Sequence, residues 1–209
     1  EPGIGAFDSP DVGSVDTHRF SGDAILPNDD NGAIIGGTAI DLGVGGTNVG
    51  FVLGIDSRIN SVLWDAAIPD LDPQGPANLE IHAMDFSAAG FILAATRRDT
   101  AADLDTGYLY ETNQSGVMQW NVTLGDGFLV DGARDGDETL ADVLTVSDGY
   151  LVLGSTLDVV NATTFRFIAY LAKVSLAGDV LWQTSLSVPH ANLIPTAFVL
   201  GDAERLVIV

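Results

Sequence analysis

The chain has 209 residues, of which 29 are acidic and 8 are basic, so its formal net charge is −21. A surface of this sign repels the phosphates of nucleic acids and of anionic membranes, which argues against both as partners. Hydrophobic residues make up 46% of the chain and charged residues only 18%, which excludes a disordered acidic protein because such chains lack the apolar content of a core.

Aspartate dominates the acidic residues: 24 of the 29 are Asp, and Lys173 is the only lysine. Dense like charge is tolerable where salt is plentiful, since the screening length falls to about 3 Å at 1 M salt. We therefore interpret the chain as a protein of a halophilic organism, with an ordinary acidic secreted protein as the alternative. Cysteine is absent, which excludes thiol catalysis and thiolate metal sites. No apolar run approaches the roughly 20 residues of a membrane-spanning helix.

A glycine-led apolar run recurs three times along the chain. Each copy ends in a threonine, and successive threonines lie 58 and 60 residues apart. The run predicts a buried strand that is repeated at a fixed period. The copies are GAIIGGT (32–38), GFILAAT (90–96) and GYLVLGST (149–156).

Two further strand-like runs follow each copy, and a weaker one precedes it. The first of the two is rich in the aromatic and β-branched residues that suit a pleated surface. The second comes after a tight polar turn, and it carries a tryptophan at the same place each time. The first runs are FVLGID (51–56), GYLYET (107–112) and FIAYLAKVS (167–175), and the second runs are VLWDAAI (62–68), VMQWNVTL (117–124) and DVLWQTSL (179–186).

Four short strands per period, with no sustained helical periodicity, indicate an all-β chain built as a β-propeller of four-stranded antiparallel blades. The chain begins and ends partway through a four-strand unit, which gives about four blades, as three whole and two half blades. We expect a segment of a larger propeller; the alternative is a closed four-bladed ring in which the two halves meet. The predicted division is a half blade at 1–22, whole blades at 23–68, 69–124 and 125–186, and a half blade at 187–209.

The second runs, with their turns, resemble the repeats of quinoprotein-like propellers, the family whose blades dock through a tryptophan. The resemblance is carried by KVSLAGDVLWQT (173–184) and ETNQSGVMQWNV (111–122), where a turn glycine precedes Trp182 and Trp120 by four positions. It extends to GIDSRINSVLWDA (54–66), although Asn60 replaces the glycine. The resemblance implies the propeller fold, with the tryptophans wedged between blades. It carries no activity, since no motif for the family's quinone cofactor is present.

One acidic cluster could hold a metal ion. Carboxylates at short spacing with intervening glycines can wrap Ca²⁺ through oxygen ligands, so we consider Asp131, Asp135, Asp137 and Glu138 a candidate calcium site. The spacing does not match an EF-hand loop. The alternative is a solvated loop of a halophilic surface.

Arg97 and Arg98 form a candidate ligand site, because paired guanidinium groups can hold a carboxylate, or a sulfated or uronic sugar, bidentately. They fall in the predicted connection at 97–107, and such loops on a rigid scaffold collect binding residues. The alternative is that the pair neutralises neighbouring aspartates.

Three Asn-x-Ser/Thr triplets, at Asn113, Asn121 and Asn161, are candidate glycosylation sites and favour an extracellular or cell-surface location. No catalytic motif for a serine nucleophile or a zinc site is present. We therefore expect a non-enzymatic binding, adhesion or structural module with a protein or glycan partner. The alternatives are a carbohydrate-active or degenerate quinoprotein-type enzyme, and a self-assembling subunit of a surface filament or viral appendage.

Overall fold

The structure is a computed structural model that describes ten stretches of the chain. Everything said of the structure below refers to these stretches. They are residues 18–28, 32–41, 48–56, 61–68, 77–99, 104–124, 137–161, 164–188, 191–200 and 206–209.

The described residues form fourteen β-strands and no helix. The strands of sheet 1 are β1 (His18–Asn28), β2 (Gly32–Asp41), β3 (Asn48–Asp56) and β4 (Ser61–Ala67). Sheet 2 contains β5 (Ala77–Phe86), β6 (Gly90–Asp99), β7 (Leu104–Asn113) and β8 (Met118–Leu124). Sheet 3 contains β9 (Thr139–Val146), β10 (Gly149–Asn161), β11 (Thr164–Val174) and β12 (Val180–Leu186). Sheet 4 has two strands, β13 (Phe198–Leu200) and β14 (Leu206–Ile208).

Every sheet is an antiparallel meander, in which strands that are neighbours in the chain are neighbours in the sheet. The prediction of an all-β chain with antiparallel four-stranded sheets is confirmed. Apolar and small residues alternate with partly exposed ones along these strands, which gives each sheet two faces that can pack. No helix in the described stretches is long and apolar enough to span a membrane.

The structure moves two of the predicted boundaries. Strand β1 begins at His18, so residues 18–22, assigned above to the half blade 1–22, pair with β2 as part of sheet 1. The second strand of each sheet also runs beyond its threonine: β6, for example, continues to Asp99. Polar residues at these strand ends suggested a loop in the sequence, but β6 remains paired with β7 as far as Asp99.

Two β-bulges recur at matching places in the three complete sheets. In the first strand, Asp23, His82 and Ala141 are each skipped by the pairing with the second strand. In the fourth strand, the residue just before each tryptophan is skipped in the same way. A bulge bends its strand and increases the local twist, so the three sheets share one shape as well as one strand order.

The sheets pack on one another in chain order. Strand β5 lies against β1, β2 and β3 of the preceding sheet, and β9 lies against β5, β6 and β7. Each contact encloses an apolar cluster. Ile34, Val52, Ile81 and Leu93 belong to the cluster between sheets 1 and 2, and Ile92, Leu109, Val143 and Val152 belong to the cluster between sheets 2 and 3.

Candidate functional site

One polar contact between successive sheets occurs three times, at the end where the first strand of each sheet begins. The side-chain oxygen of Asn78 accepts a hydrogen bond from the backbone N–H of Asn48, at 2.7 Å. Asp137 does the same for Asp105, at 3.3 Å, and Asn192 for Phe167, at 3.0 Å. We call Asn78, Asp137 and Asn192 the clamp residues, because each ties the chain, within or shortly before the first strand of its sheet, to the third strand of the preceding sheet.

Backbone bonds reinforce the clamp residues at the two later contacts. The N–H of Glu138 donates to the carbonyl of Asp105, at 3.0 Å, and the N–H of Leu193 donates to the carbonyl of Phe167, at 2.9 Å. The contact therefore pairs both the backbone N–H and the backbone carbonyl of Asp105 and of Phe167. Buried backbone groups need such partners, so the clamp residues satisfy hydrogen bonds as well as positioning the sheet.

Asp137, one of the four candidate calcium ligands, is therefore a clamp residue. Glu138 is 3% exposed and its carboxylate accepts a hydrogen bond from the Thr156 hydroxyl, at 3.2 Å. Asp131 and Asp135 lie outside the described residues. Among the residues that the structure does describe, no group of three or more His, Cys, Asp or Glu side chains could hold a metal ion.

Substitution of Asp137 distinguishes its role as a clamp residue from a role as a calcium ligand. We expect Asp137→Asn to change the free energy of unfolding by less than about 0.5 kcal/mol, because an amide oxygen accepts the same bond, as at Asn78 and Asn192. Asp137→Ala should cost about 1 kcal/mol, since it removes the acceptor. Denaturant unfolding with calcium and with a chelator measures both. A calcium-dependent stabilisation that Asp137→Asn abolishes would contradict the clamp and favour the metal.

Hydroxyl groups continue the polar contact between sheets 2 and 3. The Thr96 hydroxyl oxygen accepts a hydrogen bond from the backbone N–H of Leu140, at 3.2 Å. On the neighbouring strands, the hydroxyls of Thr139 and Ser155 are 2.7 Å apart. Of the threonines that mark the repeat, Thr96 therefore lies in this contact and Thr156 lies beside it, hydrogen-bonded to Glu138, and both are buried.

Arg97 and Arg98 both lie within β6 rather than in the predicted connection at 97–107. Arg97 is 6% exposed, whereas Arg98 is exposed and is in register with Asp105 on β7. Alternation along the strand sends the two side chains to opposite faces. The structure therefore does not bring them together as a bidentate pair, and only Arg98 presents its guanidinium to solvent.

At the other end of the sheets, each of the first two tryptophans packs on the following sheet. Trp64 stacks on Phe91 with ring centroids 6.0 Å apart, and Trp120 contacts Tyr150 with centroids 5.9 Å apart. Phe91 and Tyr150 occupy the same place, directly after the glycine that begins the second strand. Such aromatic contacts add to the free energy of apolar burial.

The turn between the third and fourth strands covers the same tryptophans. Gly116, with φ 76°, lies against Trp64, and a Cβ there would overlap that of Ala66. Gly178, with φ 90°, lies so close to Trp120 that a Cβ would be 2.9 Å from the indole. Glycine is required on both counts, because other residues rarely adopt this backbone conformation and none leaves the space.

A buried tyrosine and a buried glutamate distinguish the contact of Trp120 with sheet 3 from the contact of Trp64 with sheet 2. The Tyr150 hydroxyl donates to a carboxylate oxygen of Glu111, at 2.6 Å, and Glu111 is 6% exposed. Burial and the adjacent Glu111 carboxylate raise the pKa of Tyr150 well above its usual value, so the phenol stays protonated. At the contact of sheets 1 and 2 the matching residues are Phe91 and Gly54, which have neither the hydroxyl nor the carboxylate.

We expect Tyr150→Phe to lower the free energy of unfolding by about 2 kcal/mol, because it leaves the buried Glu111 carboxylate without its donor. Adding Glu111→Gln should restore part of that loss, since an uncharged amide is less costly to bury. Urea unfolding of the single and double variants measures the coupling. A double variant that is as unstable as Tyr150→Phe would contradict this explanation, because the unpaired carboxylate would then not be the cause of the loss.

His82 is the bulge residue of β5, and its Nε2 has no hydrogen-bond partner among the described residues. Burial lowers the pKa of His82 below 6.5, against the charges of Glu80, Asp23 and Asp105, which raise it. The folded protein therefore favours the neutral imidazole.

A lowered pKa makes stability depend on pH in a defined direction. As the pH falls below 6.5, the unfolded chain binds a proton at His82 before the folded chain does, so the free energy of unfolding decreases. We expect the wild type to lose stability relative to His82→Gln between pH 7.5 and pH 5, by about 1.4 kcal/mol for each unit by which the pKa is lowered. Urea unfolding of both proteins at the two pH values tests this. An equal change in the free energy of unfolding of the wild type and of His82→Gln would contradict it.

The candidate glycosylation residues lie at different depths. Asn113 ends β7, and its side-chain oxygen accepts hydrogen bonds from the backbone N–H groups of Ser115 and Val117, at 2.9 and 3.0 Å. Asn121 lies within β8 and is half-buried. Asn161 ends β10, and its side chain is outside the described residues.

Sequence reasoning missed the clamp residues and the Tyr150–Glu111 pair. A signal for the clamp was present, because Asn78 and Asp137 each precede the glycine of the following second strand by twelve positions. The pair carried no such signal, since neither residue type recurs at the matching positions of the other sheets.

A comparison with protein-family models finds no family that matches this chain, and no curated protein matches it either. The assignment of a role therefore depends on the contacts described above.

Proposed function

We propose that the chain is a non-enzymatic β-propeller module of a halophilic organism, placed outside the cell or on its surface, that binds a protein or an acidic glycan. The observation that carries the proposal is the use of polar side chains at the sheet ends. Asp137 and Glu138, which were candidates for metal chemistry, are hydrogen-bonded across or within the sheets instead. Polar groups held in this way build a rigid support for loops rather than a reacting centre.

The radial arrangement of a propeller is part of the proposal. It is supported by three features: sequential four-stranded meanders, the same two bulges in each, and first strands that pack on the preceding sheet. Tryptophan docking between successive sheets adds to this support, because the same contact is made by Trp64 and by Trp120. In the proposed propeller, a chain of such contacts would turn each sheet relative to the last by a similar amount.

Arg98 is the residue that we propose for ligand contact. Its side chain is exposed near the clamp end of sheet 2, in a chain with only 8 basic residues. A guanidinium group can bind a carboxylate or sulfate through two parallel hydrogen bonds, and this geometric recognition persists where salt screens long-range attraction.

Calorimetric titration with uronic-acid and sulfated oligosaccharides in molar salt tests the proposal. We expect these oligosaccharides to bind. Arg98→Gln should raise their dissociation constant about tenfold, because it removes one charged hydrogen-bonding group. Arg166→Gln is the matched control, since Arg166 is a partly exposed arginine of sheet 3, away from the proposed contact. The same oligosaccharides, incubated with the protein and analysed for cleavage, test the non-enzymatic part. Turnover of a polysaccharide would refute it.

A further inference from the structure

The fourth strand of sheet 3 exposes apolar residues whose counterparts in sheets 1 and 2 are buried or half-buried. Four positions after the tryptophan lie Ile68, directly after β4 of sheet 1 and 1% exposed, and Leu124 in β8 of sheet 2, 0% exposed. Their counterpart in sheet 3, Leu186, is 38% exposed. Trp182, the counterpart of Trp64 and Trp120, is 41% exposed while the other two are half-buried. We call Trp182 and Leu186 the open face.

At the corresponding tryptophans of sheets 1 and 2, the turn of a β-hairpin of the next sheet packs on the indole. That turn contains a glycine with a positive φ, Gly116 over Trp64 and Gly178 over Trp120. The turns are alike in detail: the glycine N–H donates to the carbonyl three residues earlier, Asn113 or Ser175, at 3.0 and 3.1 Å. The structure thus contains two examples of a hairpin turn that packs on this tryptophan.

In the stretches that the structure describes, sheet 4 supplies only two strands, β13 and β14, and no such hairpin. Strands β13 and β14 pair in the register of the earlier first and second strands, with Phe198 opposite Ile208 as Val143 is opposite Val152. Phe198 is 4% exposed and Asp142 of β9 accepts a hydrogen bond from its N–H, at 2.9 Å. In the described residues β14 pairs with β13 alone, whereas β2, β6 and β10 each pair with a third strand as well.

We infer that the open face is a docking site for a β-hairpin that pairs with the edge of β14 on which the structure describes no strand, and that places a turn glycine over Trp182. The required chemistry follows from the hairpins that pack on Trp64 and Trp120: two antiparallel strands, apolar residues on the side toward sheet 3, and a glycine at the left-handed position of the turn. Backbone hydrogen bonds to β14 would supply affinity, and the fit of the turn to the indole would supply specificity. The inference rests on the packing of the sheets and not on the proposed ligand of Arg98.

The register makes a direct test possible. Because Val209 follows Ile208 as Leu153 follows Val152, a second copy of residues 154–186 appended after Val209 continues β14 in register and adds two strands. The tryptophan of the appended copy is changed to Phe, so that the protein keeps its three tryptophans. Acrylamide is a suitable quencher of their fluorescence because it is neutral and is not repelled by the acidic surface.

We expect the appended hairpin to remove the acrylamide-accessible component of the fluorescence, which Trp182→Phe identifies in the original chain. The matched control carries Gly178→Val in the appended copy only, and it should leave Trp182 accessible while sheets 1 to 3 are untouched. Circular dichroism establishes that both proteins are folded. Unchanged quenching in the fused protein, or equal protection by the Val form, would overturn the inference. So would protection of Trp182 in the original chain that grows with protein concentration, since a second copy would then cover the face.

Discussion

Trp120→Ala is expected to lower the free energy of unfolding by about 3 kcal/mol, and the midpoint of thermal unfolding by about 6–12 °C. The indole is enclosed by the Tyr150 ring and by the turn at Gly178. Its Nε1 is buried and has no hydrogen-bond partner among the described residues, so the residue acts through packing. Truncation leaves a cavity between sheets 2 and 3, and closely packed surroundings relax only partially around such a cavity.

Trp182→Ala is the matched control for this substitution. Trp182 holds the same place in its sheet but is 41% exposed, so its truncation should cost less than about 1 kcal/mol. Thermal and denaturant unfolding of the two variants in molar salt give the comparison. Equal losses would mean that the tryptophans stabilise their own strands rather than the contact between sheets.

Transfer from molar potassium chloride to dilute buffer is expected to lower the midpoint of thermal unfolding by on the order of 10 °C, which corresponds to about 3 kcal/mol in a domain of this size. The formal net charge is −21. The screening length grows from about 3 Å at 1 M salt to about 30 Å at 0.01 M, so acidic residues throughout the surface then repel one another.

Sucrose at matched osmolarity is the control for the salt experiment, since it stabilises by exclusion from the protein surface without screening charge. Scanning calorimetry across a salt series measures the effect. A midpoint that does not depend on salt would remove the argument for a halophilic origin, while leaving the fold and the contacts between sheets as they are.

Much of the fold could be predicted from short-range patterns. The glycine-led runs and the tryptophan-bearing runs each contain alternating apolar residues between turns, and the spacing of successive copies implies one strand order repeated. First strands were the weakest prediction, because polar residues such as Asn78 and Glu80 open β5 and the bulge at His82 interrupts its alternation. Strand ends were also underestimated where polar residues remain paired, as at Arg98 and Asp99 of β6.

The candidate site was harder to predict, because its residues act between sheets. A side chain at the start of one strand reaches the backbone of a strand about thirty residues earlier, as Asn78 reaches Asn48. The spacing of carboxylates suggested a cation for Asp137, whereas its observed partner is a backbone N–H. Arg97 and Arg98 are adjacent in sequence, yet one is buried and the other is exposed.

The amino-acid sequence by itself determined the all-β class, the four-stranded meanders and the acidic character of the surface, since alternation, turn residues and net charge are properties of local sequence and composition. Only the tertiary structure decided which polar side chains hold sheets together, which tryptophans are covered and which face is left open. Those outcomes depend on how one sheet sits on the next, and that position is set by contacts between residues far apart in the chain.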